Sequence, residues 1–166
     1  APLTDPAEIN QRLDSVAFAL TQSVRLEGWR SILKSAPDLE RALSRLALGR
    51  GGPRDLAAIR DALRAASQLA AQLPRDGMPV ELAEAARHLV GHSAIVDELT
   101  RALAEELPIL ARDGGFVAKA YAPQLDELRA LRDESRRVMA QLQARYMQES
   151  GVTTLKIKHN NIIGYH

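Results

Sequence analysis

Apolar positions recur every three or four residues along most of this chain, and that period changes only near its end. The longest unbroken pattern covers residues 124–149. There Leu125, Leu128, Leu131, Val138, Leu142 and Tyr146 share one helix face, with Ser135 in the same series. Neither proline nor glycine interrupts this stretch before Gly151. The spacing therefore predicts one helix on the order of 40 Å long, at about 1.5 Å per residue, with Gly151 as its stop. From Leu155 to His159 apolar and polar residues alternate instead, which is a strand signature.

Shorter helices are predicted ahead of it. Asp5 reads as an N-cap, with Pro6 at the first helical position and Glu8 placed to close a capping box. Ile9, Leu13, Val16, Ala17 and Leu20 follow as a stripe. The phase slips near Ser23, and Val24, Leu26, Trp29, Ile32 and Leu33 form a second helix, with Trp29 read as a core anchor. Pro37 opens a third helix carrying Leu39, Leu43, Leu46 and Ala47, and the GRGGP run at 49–53 ends it. Pro53 starts a fourth, with Leu56, Ile59, Leu63, Ala66, Leu69 and Leu73 inward. The PRDG sequence at 74–77 is turn chemistry. A fifth helix begins at Pro79 (Leu82, Ala86, Leu89, Val90), and Gly91 interrupts before Ser93 caps a sixth (Ile95, Leu99, Leu103). An irregular connector then runs from Pro108 through Asp113, Gly114 and Gly115 to Pro123. The predicted class is mainly α: several helices, then one long C-terminal helix leading into a short β-strand. Its expected division is a helical part over 1–150 and a strand-bearing part over 151–166.

Composition narrows the function classes. No apolar run reaches the roughly 18 residues that a membrane span needs. The first residues carry neither a basic nor an apolar leader segment, so a signal peptide is not expected. Cysteine is absent, which removes disulfide and thiolate chemistry and fits a cytosolic setting. A net charge of +1 advertises no global attraction to nucleic acid, and scarce aromatics argue against a base-stacking platform.

Candidate chemistry is sparse. The GRGGP run has neither a preceding strand nor a following Gly-Lys-Ser/Thr, both of which a phosphate cradle requires, so helix punctuation is the better account. Glu84, His88 and His92 share a helix face, but a His-Glu-x-x-His hydrolase needs glutamate where Leu89 stands. Asp126, Glu127, Asp133 and Glu134 alternate with Arg129, Arg132, Arg136 and Arg137 at ion-pair spacing, the mark of a solvated helix face rather than an acid–base pair. No catalytic residues, metal ligands or cofactor-binding residues emerge. Lys156, Lys158 and His159 lie together in the terminal strand. Lysines so placed suit contact with a phosphate backbone, or protection of an exposed strand edge.

Several segments together resemble the core/lever domain of the MutS mismatch-recognition ATPases. They are, in order, LTDPAEI at 3–9 with RLD at 12–14, DLERALSRLALGR at 38–50 followed by PRDL at 53–56, DGG at 113–115, LDELR at 125–129, LKIKHNN at 155–161, and Gly164 with Tyr165. The ordered set spans essentially the whole chain. It departs from the family pattern around Tyr121, where Ala120 stands in place of a frequent glycine and Ala122 in place of an acid, and at His166. The resemblance implies a multi-helix lever domain, 1–150, and the first strand of an inserted DNA clamp, 151–166. It implies a fragment that is not itself an enzyme, cut from a DNA-dependent ATPase whose ATP and Mg²⁺ bind in another domain. The implied partners are mismatched double-stranded DNA and a second copy of the parent, with no membrane, in the bacterial cytoplasm and at the nucleoid during repair. Leu125, Leu128, Leu131, Val138, Leu142 and Tyr146 become the seam of the lever, and Lys156 and Lys158 the DNA-proximal charges.

Two rival readings make different predictions. A stand-alone helical interaction or regulatory module should pair its terminal strand within the chain, whereas a clamp fragment leaves it an orphan. A metal-dependent hydrolase should bring Glu84, His88 and His92 together. If a returning lever helix is missing, the 138–146 part of the stripe should be exposed to solvent or buried against a second copy.

Overall fold

The computed structural model describes residues 2–160, 162 and 164–166. Among these are seven α-helices, one 3₁₀ turn and a two-stranded hairpin, so the chain is mainly helical with a short antiparallel sheet at its C-terminus. It divides into two compact units, Ala1–Ala118 and Lys119–His166.

The first unit contains α1 (Pro6–Thr21), α2 (Ser23–Ser35), α3 (Leu39–Ala47), α4 (Pro53–Gln72), α5 (Val80–His88) and α6 (Ser93–Ala102). Local chemistry sets their ends. The Asp5 carboxylate accepts the Ala7 N–H at 2.9 Å, and Asp38 accepts that of Arg41 at 2.9 Å. Gly49, at φ +66°, closes α3 as a left-handed cap: the N–H of Gly49 donates to Leu46 and that of Arg50 to Arg45.

Helix α4 is the hub, packing against α2, α3 and α6, while α1 packs on α2 and α5. Its buried residues are Pro53, Ile59, Ala62 and Ala65. Of the six positions expected to point inward, only Ile59 is fully buried; Leu56, Leu63, Ala66, Leu69 and Leu73 are half-buried. Alanines fill the centre because three helices converge on α4, and a small side chain lets backbones approach closely where leucine would hold them apart. Trp29 from α2, Ala42 from α3 and Leu103 complete the core. Trp29 is thus the anchor its pattern predicts. Its indole Nε1 is buried without a hydrogen-bond partner.

Polar contacts fix the helices laterally. Glu81 of α5 meets Arg12 at 3.4 Å and Ser15 at 3.3 Å, both on α1. Arg64 of α4 donates to Thr100 of α6 at 2.6 Å. The connector after α6 folds back on itself. Ala104 N–H donates to Phe116, and Ala118 N–H to Ala102, each at 2.8 Å. The 3₁₀ turn Ala111–Asp113 lies between them.

The second unit consists of α7 (Pro123–Ser150) and the hairpin β1 (His159–Asn160) with β2 (Gly164–Tyr165). Helix α7 has the predicted length and stops at Gly151, whose φ of +73° only glycine adopts without steric cost. The strand differs from the one its alternation predicts. Pairing starts at His159 rather than Leu155, and the strand is one arm of a hairpin extended by reciprocal bonds between Lys158 and His166 at 2.8 and 2.9 Å. The Asn160 carboxamide accepts the Ile162 N–H at 2.8 Å. Of the LKIKHNN motif, Asn161 lies outside the described residues.

Candidate functional site: the long helix and its terminal hairpin

At the start of α7 the chain takes an unusual path. Ala120 has φ +65°, the one positive φ among the described non-glycine residues. An alanine held left-handed costs about 1–2 kcal/mol relative to the right-handed region. One oxygen of Asp126 accepts the Ala120 N–H at 2.6 Å, and the other accepts from Arg129 at 2.9 Å. The Ala120 N–H, with Arg129 adding to it, holds the Asp126 carboxyl below the usual carboxylate range.

Along the helix Arg129–Asp126 and Arg137–Glu134 pair at the predicted spacing of three, whereas Arg132 takes its sequence neighbour Asp133 instead. Arg132 meets Asp133 at 2.9 Å, Arg137 meets Glu134 at 2.7 Å, and Arg145 meets Glu149 at 3.1 Å. Arg132 also depresses the pKa of Asp133. Each of these carboxylates is engaged by an arginine of the same helix. The Arg145 guanidinium lies 5.5 Å from the Tyr146 ring centre.

Of the apolar series, Leu125 and Leu142 are half-buried. Leu128 and Leu131 are 64% and 65% exposed, and Val138 and Tyr146 are 45% and 40% exposed. Exposure was expected for 138–146; Val138 and Tyr146 meet it, Leu142 only in part. Beside that series lies a second face that sequence reasoning missed. Met139, Gln143 and Met147, one turn apart, are half-buried, as are Leu155 and Ile157 of the tail. Gln143 joins the two segments by accepting the Ile157 N–H at 2.9 Å. The alternating tail supplied half of this contact; the spacing of Met139 and Met147 was the remaining signal.

Lys156 and Lys158 alternate with Leu155 and Ile157, and both lysines are exposed. His159 packs edge-on against Tyr165, ring centres 4.9 Å apart, stiffening the hairpin beside them. The orphan strand expected of a clamp fragment is not found, since β1 pairs with β2. That pairing closes between near neighbours in sequence and needs no surrounding domain, so it discriminates weakly.

The other candidates do not converge on chemistry. His92 bonds through Nε2 to the backbone carbonyl of His88 at 3.2 Å, and Glu84 pairs with Arg87 at 3.6 Å. Among the described residues no three His, Cys, Asp or Glu side chains are grouped to hold a metal. The GRGGP run does not fit a phosphate. A side chain at Gly51 would meet Leu46 Cδ2 at 2.3 Å, so this turn is packed shut. The Gly52 N–H is already bound to the Asp55 carboxylate at 2.8 Å, so a negative charge stands where an anion would bind. No described helix is long and apolar enough to cross a membrane.

The arrangement defines a helical module with an exposed long helix. The family model of MutS domain III matches residues 1–154 of the chain, and the chain belongs to the MutS family. Membership points to a role in DNA mismatch repair. Residues 155–166, with Lys156 and Lys158, lie outside the match.

Proposed function

We propose that this chain is the lever segment of a larger mismatch-recognition ATPase, transmitting conformational change between a nucleotide-binding domain and a DNA-gripping clamp. The observation that carries the reading is α7: 28 residues without a break, ending on a hairpin. Continuous helical hydrogen bonding makes such a rod stiff, so displacement at one end appears at the other. Leu125, Leu128, Leu131, Val138, Leu142 and Tyr146 form its seam toward a neighbouring helix. Lys156 and Lys158 lie nearest the DNA backbone as point charges that carry no sequence information. ATP hydrolysis, with its Mg²⁺, belongs to another domain of the same protein, and mismatched DNA and a second protomer are the partners.

The test uses the intact ATPase. Leu131→Pro interrupts α7 at a mostly exposed position, and Leu131→Ala controls for the lost side chain. The change in ATP turnover caused by mismatched DNA should fall about tenfold in the proline variant, with DNA-free turnover retained. Unaltered DNA dependence in a folded Leu131→Pro protein would overturn the lever role.

A further inference from the structure

We propose that Ala120 and Asp126 form a releasable latch that fixes the path by which the chain enters α7. Two effects of opposite sign meet at one peptide group. The left-handed backbone of Ala120, φ +65°, resists the conformation. The Asp126 carboxylate restrains it, with one oxygen on the Ala120 N–H at 2.6 Å and the other on Arg129 at 2.9 Å. A charge-assisted bond is stronger than a neutral one, and the carboxylate lies in the first turn of α7, where the helix dipole favours negative charge. Rotating Ala120 into the right-handed or extended region relieves the backbone and swings its N–H away from Asp126. The two conformations therefore exchange strain for a hydrogen bond, the requirement for a bistable element. No other described residue except glycine carries such a φ, so the conflict is confined to this point. The helix itself survives either outcome, because Leu125 and Asp126 keep their bonds to the Ala122 carbonyl. Opening redirects the chain before Pro123 and leaves α7 intact. Nothing in this inference requires the lever role.

Amide hydrogen exchange in the intact protein, resolved to single residues, tests the latch. Asp126→Asn keeps the shape and removes the charge, and exchange at Ala120 should speed up about fivefold while the interior of α7 is unchanged. Ala120→Gly removes the strain and should slow exchange at the same amide. The double variant should fall between the two. Equal acceleration along the first turns of α7 in Asp126→Asn would mean that the carboxylate only stabilises the helix end, and would overturn the latch. So would exchange at residue 120 that neither substitution moves.

Discussion

Two long helices in this chain share a hydrophobic period and are held in different ways. Helix α4, 20 residues, buries Pro53, Ile59, Ala62 and Ala65 beneath three neighbouring helices. Helix α7, 28 residues, has no fully buried residue and carries a ladder of arginine–carboxylate pairs instead. Short isolated helices are marginal in water, and most helical stability comes from tertiary packing. By that measure α4 is held by its neighbours. Helix α7 relies on its own length, its charge pairs and one half-buried face. Similar apolar spacing therefore marks a core element in one place and a surface offered to other groups in the other.

The sharpest way to break this contrast is a matched pair of truncations. Ile59→Ala should lower unfolding stability by about 2–4 kcal/mol, since truncating a buried branched side chain leaves a cavity in the core. Leu131→Ala, at a position 65% exposed, should change it by less than about 0.5 kcal/mol. Denaturant unfolding of both variants decides the matter, and equal effects would erase the distinction.

A smaller effect is expected at the turn leading into α4. A methyl group at Gly51 would meet Leu46 at Cδ2, 2.3 Å, and at backbone Cα, 2.9 Å. Gly51→Ala should therefore cost about 1–3 kcal/mol through displacement of α3 from the start of α4. Gly115 has nothing within 4 Å of an added methyl group, so Gly115→Ala meets only the penalty of its φ of +78°. Thermal unfolding of the two variants separates close packing from backbone conformation.

The smallest effect is in acid. The Gly52 N–H bond holds the Asp55 carboxyl below its ordinary 3.8, with Arg45 adding to it and partial burial opposing both. A carboxylate depressed in the folded state stabilises it fully above the unfolded value and ceases to do so as pH falls through the folded one. Wild type should exceed Asp55→Asn in stability at pH 6, and the gap should close as pH drops below about 4. A gap independent of pH would assign the effect to packing rather than to ionisation.

Much of this architecture is legible from sequence where its causes are local. Asp5 and Gly151 act within one helical turn of themselves and do what their residue types predict, whereas α3 opens at Leu39 behind Asp38 rather than at Pro37, and Ser93 is the first residue of α6 rather than its cap. Contacts made across the chain are harder to read. The Gln143–Ile157 bond links residues 14 apart, and no periodicity marks a glutamine as the acceptor for a tail. The centre of α4 falls on Ala62 and Ala65 because neighbours crowd it, which the larger leucines at 56 and 63 conceal. The strand at 155–159 shows its alternation in burial, yet its pairing begins only at His159, opposite Tyr165. At the site the length of α7 and its stop at Gly151 were legible, but its use was not, because a long helix announces no chemistry.

Trp29 gives the two units separate visibility. It is the chain's one tryptophan, and it sits among the helices around α4, while α7 has none. Its fluorescence is therefore a private reporter of the first unit, blue-shifted while water is kept from the indole and red-shifted once that bundle opens. Circular dichroism counts every helix, α7 among them. Recorded together in one titration, the two signals would diverge if the rod melted before the bundle and coincide if both yielded at once.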